Sequence, residues 1–206
     1  MLEKILQADQ ELLLFLNSLH SPFFDALMWL MTHLWFWLPL FAVLLWILWK
    51  HYRKKLIFIL AFFALSVVLS DQISVLIKNK VQRQRPSHNV EICGQLHLHQ
   101  YKNGAIYQGG EYGFVSSHAA NSFGVMVLFL YFFKPIKRRL GWIVPTWAVL
   151  HCYTRIYLGV HYPLDVLCGA LTGITCGLLT MWIYQLLSAN RWLQNNLIKQ
   201  KERQKT

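Results

Sequence analysis

Long stretches of this chain carry almost no charge, and that constrains its fold more than any other feature. Residues 23–49 are apolar apart from Asp25 and His33, and residues 56–77 contain the single charge Asp71. Residues 115–133, 141–157 and 164–187 follow, the last with only Asp165 near its start. Lipid offers no partner for backbone amides and carbonyls, so a bilayer core about 30 Å thick is crossed by helices of about 20 apolar residues. The expected fold class is all-α: a polytopic membrane helix bundle with five or six transmembrane helices. The open point is whether residues 22–33 cross by themselves. With 55% hydrophobic and 14% charged residues in 206, disordered, collagen-like and disulfide-framework readings are excluded.

The ends and the cysteines are read in the same frame, as parts of one domain over residues 1–206. Residues 1–21 carry Glu3, Asp9 and Glu11 where a secretory signal would be basic, and no small-residue cleavage site follows. They are expected to form an amphipathic helix lying at the membrane interface. Cys93, Cys152, Cys168 and Cys176 show neither CxxC nor metal-ligand spacing and are read as packing residues.

The cations give the orientation. Lys50, Arg53, Lys54 and Lys55 follow the first stretch, Lys134, Lys137, Arg138 and Arg139 follow the third, and Arg191, Lys199, Lys201, Arg203 and Lys205 fall in a basic tail, residues 191–206. These three clusters are placed on one face, which the positive-inside rule makes cytoplasmic. Lys78, Lys80, Arg83, Arg85, Lys102 and Arg155 then lie on the opposite face and break that rule. Lys80, Arg83 and Lys102 are read as solvated charges near anionic head groups.

Lys78, Arg85 and Arg155 ask for more, because three short segments meet on that side. Lys78 and Arg85 stand seven apart before Pro86, Ser116 and Ser117 precede His118, and Arg155 leads by six to His161, which leads by four to Asp165. Arginine presents a planar fork to phosphate oxygens, lysine a compact charge, and helix N-termini add oriented N–H groups. One helical turn puts His161 and Asp165 on one side, where the carboxylate can fix the imidazole tautomer and leave the other nitrogen free to attack. Pro163 suits the first turn of the last helix, with His161 just outside it.

KNKVQRQRP at 78–86, VSSHAANSFG at 115–124 and TRIYLGVHYPLD at 154–165 resemble, in order and spacing, the three signature motifs of the type 2 phosphatidic acid phosphatase family. The resemblance implies a membrane lipid phosphatase of short bacterial type. It assigns Lys78, Arg85 and Arg155 to the phosphate oxygens, with Ser116 and the Ser117 amide completing the cradle. It makes His161 the nucleophile, Asp165 its orienting partner and His118 the general acid. Val115, Ser117 and Thr154 depart from the family's usual Pro, Gly and Ser at those positions.

The substrate expected at such a rim is a lipid phosphate, with its acyl chains still in the bilayer. The resemblance implies lipid A, undecaprenyl diphosphate or phosphatidylglycerophosphate as candidates, and SSHAANSFG is similar to the lipid A subgroup. A phosphotransferase using the same site, and a phospholipid-binding or transport protein without catalysis, are the alternatives. No cofactor and no nucleic-acid partner are expected. His97 and His99 would be two metal ligands without a third, so no metal site is expected. Asp71 is read as either functional or structural. The glycine-rich residues 87–114 are read as an extracytoplasmic loop serving as a flexible lid over the head group.

Overall fold

The structure, a computed structural model, describes residues 1–136 and 138–203, with the side chains of residues 138, 139 and 190–203 left out. The side chains of most cations of the second cluster and of all those in the expected basic tail therefore lie outside what is described. The chain folds as α1 (Leu2–Ser18), α2 (Pro22–Met31), α3 (Leu34–Tyr52), α4 (Leu56–Val81), α5 (Ser117–Phe133), α6 (Ile143–Tyr157) and α7 (Pro163–Arg203). Among the described residues there is no strand, only isolated bridges pairing Gln84 with Tyr112 and Gln100 with Ile106.

The first long apolar stretch is two helices. Ser21 caps α2 by accepting from the Phe24 amide, and at the far end His33 turns extended, with φ −90° and ψ 136°. The break is stabilised locally: His33 Nδ1 lies 2.7 Å from the Trp29 carbonyl and Trp37 Nε1 donates to the Met31 carbonyl at 2.7 Å. The ten residues of α2 rise only about 15 Å, half of a bilayer core.

The centre of the bundle is the contact of α5 with α7. Gly169, Gly173 and Gly177 recur every four residues and so line one face of α7. A Cβ at Gly169 would lie 2.5 Å from the Ser116 carbonyl oxygen, one at Gly177 2.8 Å from that of Gly124, and one at Gly173 would run into the Ala120 backbone. Small residues are what let helix backbones approach this closely where lipid removes the hydrophobic drive between helices. The approach sets the first turns of α5 and α7 side by side, where the Ser116 amide donates to the Asp165 carbonyl at 2.9 Å. Around this pair Leu44 and Leu48 of α3, Ile59 of α4, Phe132 of α5 and Trp147 of α6 complete the main core.

The bundle has two distinct ends. Tyr52 donates to the Phe132 carbonyl at 2.7 Å, so the exposed cations that follow α3 and Lys134 beyond α5 share one end. The other end collects the last turns of α4 and α6 and the first turns of α5 and α7. Between them the outer surface is apolar, with Leu38, Trp46, Ile57, Val68, Leu171 and Trp182 exposed, an exterior that suits lipid rather than water. The stretches Leu34–Val81 and Pro163–Ala189 are long and apolar enough to cross a membrane.

The N-terminal helix and the long loop close the second end. Helix α1 turns Ile5, Leu12 and Phe15 outward and buries Asp9, Leu13 and Asn17, so its inward face carries polar anchor points. The loop is held down at several points: the Arg85 amide donates to the Glu111 carbonyl, that of Gly113 to the Arg83 carbonyl, and Ser87 Oγ to the Gln108 carbonyl. The segment read as a flexible lid is thus a hydrogen-bonded cap. Overpacking the α5–α7 contact tests this account. Gly173→Ala is expected to cost about 1–3 kcal/mol, read as a lower midpoint in a detergent thermal melt. Gly94→Ala, where a Cβ meets open space, is expected to change stability by less than about 0.5 kcal/mol.

Candidate active site

His161 is placed by the short turn between α6 and α7. Gly159 adopts φ +66°, which an L side chain rarely does, and a Cβ there would also lie 2.7 Å from Leu98 Cδ2. The turn folds back so that the amides of Val160 and His161 both donate to the Arg155 carbonyl, at 3.1 and 3.2 Å. Pro163 then opens α7. The His161 ring is buried, with Nδ1 3.4 Å from Asp165 Oδ2, and that same oxygen accepts from the Tyr162 amide at 3.1 Å.

Three cations surround this imidazole, each fixed by neutral partners. Lys78 donates to Ser117 Oγ at 3.2 Å, and that hydroxyl is 2.7 Å from Ser74 Oγ. Arg85 donates through Nε to the Tyr112 carbonyl at 3.2 Å and through Nη1 to that of Val160 at 3.5 Å. Arg155 donates to Thr32 Oγ1 at 2.6 Å and to Tyr107 Oη at 2.8 Å. Two further donors, Arg155 Nε and Ser116 Oγ, are buried with no protein partner. Burial first, and then Arg85, Arg155 and Lys78, push the His161 pKa well below its ordinary value. A buried cup of this kind, with donors to spare, fits an anion rather than a metal ion.

Arg83 is a correction to the sequence reading. It is no solvated head-group ligand: it bridges two buried carboxylates, 2.7 Å from Asp9 Oδ2 and 2.9 Å from Asp165 Oδ1. Its guanidinium lies 3.8 Å from the centre of the Tyr162 ring, and Asp9 Oδ1 also accepts from the Leu164 amide at 2.8 Å. Asp165 is therefore held on one oxygen by Arg83 and on the other by His161 and the Tyr162 amide. Lys80 and Lys102 are exposed, as read.

His118, at the start of α5, faces a cleft of about 650 Å³ whose walls include Leu38, Leu45, Leu60, Phe63 and Phe129 and whose polar lining includes Asp71, Ser117 and His151. Arg85, Arg155, His151 and His161 are all near enough to act electrostatically on its ring. His151 was not anticipated: it stacks on Trp147, lies 5.6 Å from the His118 ring and hydrogen-bonds Ser122 through Nδ1. The other unanticipated supports are Asp9, Thr32, Ser74 and Tyr107. No motif spacing marks them, since Asp9 lies 74 residues from Arg83 and Thr32 lies 123 from Arg155. The motif departures also find roles. Ser117 brings to its position the hydroxyl that holds Lys78, and Thr154 donates to the His151 carbonyl at 2.7 Å.

A cationic cup beside a buried His–Asp pair, at one end of an apolar helix bundle, is an arrangement suited to an anionic group of a membrane lipid. The PAP2 superfamily profile matches residues 55–189, and the chain belongs to that superfamily. It is similar to a lipid A 4'-phosphatase of Bacteroides thetaiotaomicron, 38% identical over 92% of this chain and 82% of the relative. A lipid A 4'-phosphatase of Porphyromonas gingivalis is 30% identical over 93% of this chain and 79% of its own length. Among solved structures, Aquifex aeolicus LpxE superposes with a TM-score of 0.62 at 25% identity, covering 83% of this chain and 93% of that one. The expectation of a bacterial membrane lipid phosphatase therefore stands.

Removing Arg83 leaves two buried carboxylates without the cation they share. Arg83→Met is expected to destabilise the protein by about 3 kcal/mol or more, measured as a fall in the thermal midpoint in detergent.

Proposed function

We propose that this protein hydrolyses a phosphate ester of a membrane glycolipid of the lipid A class through a phosphohistidine on His161. The observation that carries the reading is the buried imidazole with Lys78, Arg85 and Arg155 acting on it while its neighbouring carboxylate is already matched by Arg83. Phosphoryl transfer depends chiefly on in-line placement and on neutralising the equatorial oxygens, and three fixed cations supply the second. The substrate class is supported by two relatives that carry the lipid A 4'-phosphatase name and match most of this chain.

In the proposed reaction Nδ1 of His161 faces Asp165, which leaves Nε2 to attack phosphorus. An N–P bond forms as the P–O bond to the lipid breaks, and His118 gives its proton to the leaving oxygen. Water then attacks phosphorus while His118 takes one of its protons, an O–P bond forms as the N–P bond breaks with its electron pair returning to Nε2 of His161, and inorganic phosphate leaves. Lys78, Arg85, Arg155, Ser116 and the Ser117 amide hold the phosphate oxygens throughout. The apolar walls of the cleft beside His118 suit acyl chains that stay in the bilayer. We read α3 to α7 as five spans of one domain, with the basic end cytoplasmic and the site extracytoplasmic. In this reading α1 lies along the interface.

His161→Ala is expected to lower turnover by about 10⁴-fold or more, measured as phosphate release from a lipid A substrate in mixed micelles. The wild-type protein is expected to release one free phosphate per dephosphorylated lipid and to keep its activity in EDTA. A phosphorylated acceptor without free phosphate would replace hydrolysis by phosphotransfer.

The lowered His161 pKa fixes a sign. Its neutral, nucleophilic form persists as pH falls past the ordinary histidine value of about 6.5 and is lost only further into acid. The acid limb of kcat/KM is expected below that value. In Arg85→Gln, which removes one of the cations opposing protonation, the limb is expected to move upward.

A further inference from the structure

The outer surface holds a second cluster of polar side chains, apart from the cationic cup. His97, on the long loop, lies with Nε2 3.1 Å from Asp25 Oδ2 in the first turn of α2. His20, between α1 and α2, stacks on His97 with ring centres 3.7 Å apart and planes within 6°. One ligand atom from each of His20, Asp25 and His97 falls within 4.8 Å of the others. Two ligands of one tetrahedral zinc ion are about 3.4 Å apart, as bond lengths of about 2.0–2.2 Å require. The His97–Asp25 pair already stands near that separation.

The surroundings orient the first two ligands as a metal site needs. Asp25 Oδ1 accepts from Tyr157 Oη at 2.7 Å, so one carboxylate oxygen is pinned and the other faces the imidazole. Asn17, buried in α1, clamps the His97 backbone from both sides: its Oδ1 accepts from the amide at 2.7 Å and its Nδ2 donates to the carbonyl at 3.1 Å. The same Nδ2 donates to the Tyr157 carbonyl at 2.7 Å, tying loop, α1 and α6 together beneath the cluster. Such partners commonly fix ligand orientation in metal centres. A cavity of about 440 Å³ lined by Asp25, His97, His99 and Tyr157 leaves room for a water ligand.

We propose that Asp25, His97 and the exposed His20, its ring turned out of the stack so that its nitrogen meets the ion in plane, bind one zinc-class divalent cation, with water in the fourth position. Two imidazoles and one carboxylate select this class over magnesium or calcium, which take oxygen donors. The ion fastens the loop to the start of α2. It does so next to the aromatic contact through which His99 stacks on Trp29, and Trp29 meets the Tyr107 ring that holds Arg155. Its place is therefore that of a clip on the cap, outside the phosphoryl-transfer steps.

The test uses the full-length protein without an affinity tag, stripped of metal in detergent and titrated with Co²⁺ and then Zn²⁺. One equivalent of Co²⁺ is expected to bind with the visible spectrum of a tetrahedral nitrogen and oxygen site, be displaced by Zn²⁺, and raise the thermal midpoint. His20→Gln and His97→Gln are each expected to weaken binding by more than about 100-fold, and Tyr157→Phe, which frees Asp25, by about tenfold. Absence of saturable cobalt binding overturns the proposal, as does undiminished binding in the His20→Gln/His97→Gln double variant. Far-UV circular dichroism checks that each variant is folded, and Asp25→Asn replaces any that is not. The cobalt spectrum does not depend on phosphatase activity, so this result stands apart from the assignment of His161.

Discussion

The close approach of α5 and α7 is the constraint on which the rest depends. Where Gly169 and Gly173 meet Ser116 and Ala120, the two backbones lie nearer than a side chain permits. The cup is built at the end of that contact, because the Ser116 amide reaches the Asp165 carbonyl only when the two first turns are level. Packing between these two helices thereby fixes the relation of the serine pair to the His–Asp pair. Neither motif could set that relation alone, since one lies on each helix.

The second constraint is the turn at Gly159. It returns the chain onto the Arg155 carbonyl, so that the backbone of one candidate site residue positions the imidazole of another. Arg155 is in turn gripped by Thr32, at the break between α2 and α3, and by Tyr107 of the cap. The break in the first apolar stretch is thus more than a loop between helices: it delivers the hydroxyl that orients a cation.

Much of the candidate site was legible in the sequence, for a physical reason. Lys78, Arg85, Ser116, Ser117, His118, Arg155, His161 and Asp165 sit in three short segments at helix ends, and those segments carry the family resemblance. The bundle class was legible too, because lipid imposes helices on long apolar runs. Arg83 and Asp9 were not. Their pairing joins α1 to the turn after α4 across 74 residues, and no periodicity records such a contact. The contact of His97 with Asp25 was hidden for the same reason: Asp25 lies 72 residues away and reaches it only once α2 has folded back beside the loop. The glycine face of α7 was present in the sequence at a spacing of four, but only the position of α5 shows which helix it receives.

The three arginines of this end differ in what holds them, and the difference separates the two proposed phosphate ligands from the third. Arg85 and Arg155 are held by carbonyls and hydroxyls, which orient a guanidinium without cancelling its charge. Arg83 is held by two carboxylates, so its charge is spent within the protein. Desolvating a cation is costly unless something opposite meets it. For Arg83 that partner is built in, and the same contact holds Asp165 in place beside His161. For Arg85 and Arg155 no carboxylate is hydrogen-bonded in place; in the proposed function the opposite charge arrives with the phosphate of the substrate.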